Sequence, residues 1–229
     1  NEFKIETPYL PGEKGCRITW LYTDDEEKTL YLRHEDLMEM IEILEHGTTA
    51  KIEMEDGVVM NGGTAEHIRE AAGVMGQYCD ILGVRSFPSL TDREADYTEK
   101  IINAFKAHAG CPIVSLESAT LHPLQSLADL ITIAEFKQVE KPKVVLSWAP
   151  HIKALPQAVS NSFAQWLTQT DYDFTVVQPE GFELSEEFTK GANIMHDQTA
   201  ALEGADFVYV KNWSSYHDYG KVGKMEDWL

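Results

Sequence analysis

Ser115-Leu-Glu117-Ser-Ala-Thr-Leu-His122-Pro123-Leu124-Gln125 follows an apolar segment, Pro112-Ile-Val-Ser-Leu116, and leads into a run of helical spacing that ends at Phe136. The β-branched and apolar residues of 112–116 suit a strand, and Pro123 suits a first helical turn, where its missing N–H would be unpaired anyway. The spacing predicts a strand over 112–116, a turn carrying Glu117, and a helix over 123–136. A strand that runs into a helix N-terminus gathers free backbone N–H groups and the positive dipole end at one point, a ready place for an anion. His122 and Gln125 flank that first turn. A histidine there can polarise a carbonyl, and a glutamine amide offers both a donor and an acceptor to a small group. A helix start with a surface histidine would carry the same letters, so His-Pro-x-Gln alone names no chemistry.

Working outward, the alternation of strand and helix repeats. Cys79-Asp-Ile-Leu-Gly-Val-Arg85 reads as a buried strand ending in Arg85. A guanidinium at a strand's carboxyl edge is placed to bind a phosphate or a polarised carbonyl, or simply to pair with Asp92 or Glu94. Residues 65–77 read as a helix capped by Gly62-Gly-Thr64, with Ile68, Ala71, Ala72 and Met75 on one face. Residues 90–97 read as a charged loop and 98–109 as a helix. Downstream, Val144-Val-Leu-Ser-Trp148 is a strand that exits through Ala149-Pro-His151, and 158–168 is a helix. A strand and turn over 174–181, a short helix over 185–191 capped by Ser185, and the segments 193–196 and 197–203 continue the pattern. The strand over 205–210 ends at Lys211-Asn-Trp213. The chain is therefore expected to be α/β, with parallel sheets and helices on both faces. His151 and Lys211 then fall at strand carboxyl ends, where such sheets collect ligands. A backbone-satisfied histidine and a solvated lysine are the plainer readings of the two.

The first 48 residues read differently. Pro8, Pro11 and Gly12 make 1–14 a loop or extended arm, and 16–22 with 29–33 flank the polar run 23–28 as a hairpin. An amphipathic helix over 37–45, closed by Gly47, completes a ββα unit. Three domains follow: 1–48, an α/β domain over 49–138, and a second α/β domain over 139–229 entered through the polar run 137–143.

Composition narrows the function classes. A chain of 229 residues can bury a sizeable core, and it contains no apolar run long enough for a membrane span. Its 38 acidic against 19 basic residues, a net charge of −19, argue against nucleic acid or an anionic membrane as partner. Cys16, Cys79 and Cys111 are scattered with no Cys-x-x-Cys pair, which points to a reducing cytoplasm. His34, His46, His67, His108 and His196 lack metal-ligand spacing, and neither Gly-x-x-x-x-Gly-Lys nor Gly-x-Gly-x-x-Gly occurs. No metal or organic cofactor is expected. Glu180 and Asp206 are candidates for acid–base work only as carboxylates.

Taken together, Glu117 with His122-Pro-Leu-Gln125, Gly83-Val-Arg-Ser-Phe87, Lys143-Val-Val-Leu-Ser-Trp-Ala-Pro-His151, Leu155-Pro-Gln-Ala-Val-Ser-Asn-Ser162 and Ala205-Asp-Phe-Val-Tyr-Val-Lys-Asn-Trp213 resemble the aspartate/ornithine carbamoyltransferase family. The resemblance lies with its N-acylornithine branch, nearer the succinyl than the acetyl enzymes, and spans residues 50–229. It implies transfer of a carbamoyl group from carbamoyl phosphate to the δ-amine of an N-acylornithine, giving N-acylcitrulline in arginine biosynthesis. A cytoplasmic homotrimer without cofactor, and a knotted path through 156–168, are further implications. Arg85 and His122 would be catalytic. Arg85, His122, Pro123, Leu124 and Gln125 would bind carbamoyl phosphate, and Glu117, His151 and Lys211 the acylornithine. The chain departs from the pattern in five respects. Residues 1–48 have no counterpart, and neither the phosphate-cradling Ser-x-Arg-Thr nor the carbamoyl-binding His-Cys-Leu-Pro stretch occurs. Ala50 stands where the branch carries a tryptophan lent across a subunit interface, and Ala65 occupies a position that helps select the acyl group. These departures frame the alternative, a catalytically incompetent relative or truncated scaffold acting as a binding or interaction module.

Overall fold

The computed structural model describes residues 68–222, together with the backbone of the strands Phe3–Glu6, Gly15–Leu21, Glu27–Arg33, Ile52–Glu53 and Glu66–His67. The chain divides into two compact units, Asn1–Ala50 and Lys51–Leu229.

The first unit contains a three-stranded antiparallel sheet in the order β1 (Phe3–Glu6), β2 (Gly15–Leu21), β3 (Glu27–Arg33). The register sets Ile5 opposite Ile18 and Ile18 opposite Leu30. Residues 3–6 are thus a paired strand rather than part of a loop or arm. Phe3-Lys4-Ile5-Glu6 alternates apolar and charged residues, the period of a strand, and Pro8, Pro11 and Gly12 end it without preventing it. The helix expected over 37–45 and the cap expected at 62–64 lie outside the described residues, as do Ala50 and Ala65.

The second unit is parallel α/β. A short pair, β4 (Ile52–Glu53) with β5 (Glu66–His67), precedes α1 (Ile68–Gly76). The helix therefore begins at Ile68 and not at residue 65, because Glu66 and His67 are taken up in pairing with Ile52 and Glu53. Ile68 and Ala72 bury against Leu82, Val84, Phe105 and Ala109, with Met75 at the margin. β6 (Leu82–Arg85) pairs in parallel with β7 (Ile113–Glu117), and α3 (Lys100–His108) connects them. Within the stretch read as a charged loop lies a further helix, α2 (Arg93–Tyr97). The Asp92 carboxylate caps it by accepting the Ala95 N–H at 3.0 Å, a side-chain cap that stabilises a single turn among otherwise polar residues.

The larger sheet has the order β10–β9–β8–β11, all parallel, from β8 (Lys143–Trp148), β9 (Asp173–Val177), β10 (Asn193–Met195) and β11 (Phe207–Lys211). Val144, Val145 and Leu146 of the inner strand β8 are fully buried, as expected of a parallel strand covered on both faces. α4 (Pro123–Phe136) packs on α5 (Ala158–Leu167), joining the two sheets' layers. α6 (Glu186–Thr189), capped by Ser185, and α7 (Gln198–Leu202), capped by Asp197, complete the alternation. Two buried tryptophans fix the strand exits near the site: Trp148 Nε1 donates to Trp213 O at 2.9 Å, and Trp213 Nε1 to Phe182 O at 2.8 Å.

A candidate active site at the start of helix α4

The site begins with a register shift. β6 and β7 run in step to Val84 opposite Ser115, then Leu116 is passed over and Arg85 stands opposite Glu117. An extra residue in one strand re-aims the side chains beside it. Here it brings a guanidinium and a carboxylate together at the carboxyl ends of both strands. Arg85 Nε and Nη2 donate to Glu117 Oε2 at 3.0 and 2.9 Å. The carboxylate is buried, with 8% of its side chain exposed, while the arginine side chain is 58% exposed. The guanidinium also lies over the Phe87 ring, 5.0 Å from its centroid. Arg85 thus pairs with Glu117, thirty-two residues away in sequence, and not with the nearer Asp92 or Glu94.

Glu117 meets His122 on its other side. His122 Nε2 lies 3.9 Å from Glu117 Oε2 at the N-cap position of α4, and its side chain is four-fifths buried. Its ring makes no cap hydrogen bond, and Nδ1 is buried without a partner in the protein. Burial holds the imidazole below its ordinary value of 6.5; the Glu117 carboxylate opposes this, and the Arg85 and Lys211 charges add to it. His122 is accordingly neutral near pH 7, a hydrogen-bond donor to a carbonyl without the charge of an imidazolium. The sign of the pH dependence follows. Between the depressed folded value and 6.5, the unfolded chain binds more protons than the folded one, so stability falls as pH drops through that window. Thermal melts should show Tm declining below pH 6.5, and His122→Gln should flatten that decline; an unchanged decline would mean that His122 is not its source.

In the first turn of α4, Gln125 Nε2 donates to Asp129 Oδ1 at 2.9 Å. Burial raises the Asp129 carboxyl, against the hydrogen bonds it receives from Gln125 and Tyr209. Tyr209, on β11, is in turn raised by burial and by the neighbouring Asp129. With one amide N–H committed to Asp129, Gln125 keeps its carbonyl oxygen to accept a ligand N–H. Asp129 is the residue that sequence reading missed. Its signal was the i, i+4 spacing from Gln125 on one helix face.

Lys211 and His151 are placed less centrally. Lys211 ends β11, where its carbonyl accepts the Ala149 N–H at 3.0 Å, and its ammonium is near enough to His122 to lower that ring's proton affinity. His151 is exposed, and its Nδ1 is in hydrogen-bonding distance of the Lys153 backbone, 3.0 Å from O and 3.1 Å from N. It lines a shallow depression with Lys153, Phe182, Asn212 and Trp213. Among the described residues, no group of three or more His, Cys, Asp or Glu could hold a metal ion, and no helix is long and apolar enough to cross a membrane.

The parallel pair β6 and β7 ends with Arg85 and Glu117 beside His122 at the start of α4, and strand carboxyl ends are where α/β folds commonly collect ligands. The model of the carbamoyl-P binding domain of aspartate/ornithine carbamoyltransferases matches residues 41–135. N-succinylornithine carbamoyltransferase of Bacteroides thetaiotaomicron is 54% identical over 181 residues, 78% of this chain and 57% of the relative. N-acetylornithine carbamoyltransferase of Xanthomonas campestris is 34% identical over 194 residues, 78% of this chain and 57% of the relative. A crystal structure of N-acetyl-L-ornithine transcarbamylase superposes with a TM-score of 0.65 at 34% identity, covering 74% of this chain and 55% of that one. A mutant of that enzyme complexed with carbamyl phosphate and N-succinyl-L-norvaline gives a TM-score of 0.67 with 34% identity, 74% of this chain and 55% of that one. The chain belongs to the aspartate/ornithine carbamoyltransferase family. It spans 57% of the length of its N-succinylornithine relative.

Proposed function

We propose that this protein transfers the carbamoyl group of carbamoyl phosphate to the δ-amine of an N-succinyl- or N-acetyl-L-ornithine, giving N-acylcitrulline and phosphate. The observation that carries the reading is the Arg85–Glu117–His122 cluster against the first turn of α4. The neutral amine attacks the carbonyl carbon, the C–O bond to phosphate breaks, and the amine loses a proton. As negative charge gathers on the carbonyl oxygen, the neutral His122 donates to it and the Arg85 guanidinium screens it and the departing phosphate. The unpaired N–H groups of Leu124 and Gln125 add the helix end to the same anion. Gln125, its amide oriented by Asp129, accepts from the carbamoyl nitrogen. Glu117, His151 and Lys211 hold the acylornithine, Lys211 pairing with a substrate carboxylate.

The identities with succinyl- and acetyl-ornithine enzymes support this reading over a non-catalytic module. Residues 49–138 are then the carbamoyl-phosphate side and 139–229 the amino-acid side. A place in arginine biosynthesis, a cytoplasmic setting and a homotrimer belong to the same proposal. Calorimetric titration of carbamoyl phosphate into the full chain and its Arg85→Ala variant tests it. Loss of charge-assisted contacts of about 1.5–3 kcal/mol should raise Kd roughly ten- to a hundredfold. Equal affinity in the two proteins would remove Arg85 from the site.

A further inference from the structure

We propose that Glu99 is a positioning residue of this site: its carboxylate holds the loop 118–121 that sets Glu117 and His122 against each other. Glu99 lies 18 residues before Glu117 on another element, and nothing in the transfer step uses it. Its backbone is left-handed, φ 51° and ψ 38°, a conformation unfavourable for any residue with a Cβ. It occupies the N-cap of α3 yet gives that helix no side-chain hydrogen bond. The side chain turns instead to the strand-to-helix loop.

There Glu99 Oε1 accepts the Ser118 hydroxyl at 2.7 Å, the Thr120 N–H at 2.8 Å and the Thr120 hydroxyl, while Oε2 accepts the Ala119 N–H at 3.3 Å. Ser118, Ala119 and Thr120 are buried, so their polar groups need partners inside the protein. A strand that stops and a helix that has not begun supply no backbone acceptor for two consecutive N–H groups. A carboxylate, acceptor-only at both oxygens, satisfies two hydroxyls and two amides at once. The loop also closes on itself, Leu121 O accepting the Ser118 N–H at 2.8 Å and Ser118 Oγ the Leu121 N–H at 3.2 Å, and Asn161 Nδ2 reaches Thr120 O at 3.3 Å. Glu117 precedes this loop and His122 follows it. The 3.9 Å between their side chains therefore depends on a residue that touches neither.

The kinetic part of this proposal rests on the carbamoyl-transfer reading; the structural part does not. The experiment uses the full chain with Glu99→Ala, Glu99→Asp and Glu99→Gln, and two readouts. The first is NMR titration of the His122 imidazole, assigned with His122→Gln. Glu99→Ala and the shorter Glu99→Asp should move its pKa upward toward that of a free imidazole, as the released loop admits water. The second is turnover of carbamoyl phosphate with N-succinyl-L-ornithine. Here kcat should fall about 10- to 100-fold, with the KM for the acylornithine nearly unchanged, as expected of a misplaced reacting geometry. Glu99→Gln, which keeps one acceptor oxygen, should lie between wild type and Glu99→Asp in both readouts, and it carries the test if Glu99→Ala does not fold. A lower Tm with the His122 titration and kcat both at wild-type values would overturn the proposal, leaving Glu99 a purely structural residue. Absence of turnover in the wild type would sink the transfer reading alone, because the His122 titration still decides the role of Glu99.

Discussion

Replacing His122 by alanine is expected to lower kcat about 10²- to 10³-fold while changing the KM for carbamoyl phosphate little. The ring is neutral near pH 7, four-fifths buried, and stands at the N-cap of α4 with Nδ1 unpartnered in the protein. A neutral donor interacts weakly with a ground-state carbonyl and far more strongly with an oxygen acquiring charge. Its contribution therefore falls in the transition state. Arg85 and the helix end remain in the variant, so the substrate's phosphate keeps its main counter-charges. Steady-state kinetics separates the roles: a higher KM at unchanged kcat would make His122 a ground-state binder and refute the polarising role.

The largest expected effect on stability lies away from the chemistry, at Gly76. A Cβ built there would sit 1.6 Å from Ala109 O and 2.6 Å from Ala109 C. Both are backbone atoms, and Ala109 follows α3 in a fully buried position. No rotamer change relieves the clash, so α1 and α3 must part. Gly76→Ala is expected to cost about 3 kcal/mol, the upper part of the range for overpacking. Gly73 is the internal control. It lies on the same helix, and a Cβ there would meet only His108 O at 3.7 Å, an ordinary contact. Gly73→Ala should stabilise by about 0.5–1 kcal/mol, because glycine loses more conformational freedom than alanine in a helix. Urea unfolding with unchanged m-values checks both. A loss below about 1 kcal/mol at Gly76 would mean that the α1–α3 contact yields readily.

How much was legible in the sequence depended on whether the determining residues were neighbours. The helix Pro123–Phe136 and the Ser185 cap rest on local signals, a proline at the first turn and a serine before two glutamates, and the structure shows both. The strand core around Val144-Val-Leu-Ser-Trp148 is apolar enough to be read without context. The strand Phe3–Glu6 was outweighed by the prolines after it. The turn of helix at Arg93–Tyr97 was hidden because its cap, Asp92, is one charge among several. The helix start at Ile68 moved because a partner strand fourteen residues earlier claims Glu66 and His67. In the site, Glu117, His122 and Gln125 cluster by sequence proximity, and Arg85 joins them only through a one-residue register shift that no local pattern encodes. The Glu99 contacts depend in the same way on tertiary structure, since a glutamate at a helix start reads first as a cap. His151 is exposed and engaged with the Lys153 backbone, the plainer of the two readings of that residue.

Product formation by the full chain is the measurement that bears most directly on carbamoyl transfer. Carbamoyl phosphate and N-succinyl- or N-acetyl-L-ornithine are incubated with wild-type protein and with His122→Ala, and N-acylcitrulline is quantified by mass spectrometry. Acceptor-dependent N-acylcitrulline is expected with the wild-type protein, and about 10²- to 10³-fold slower formation with the variant. No product above the protein-free reaction with either acceptor, or equal rates for both proteins, would contradict it.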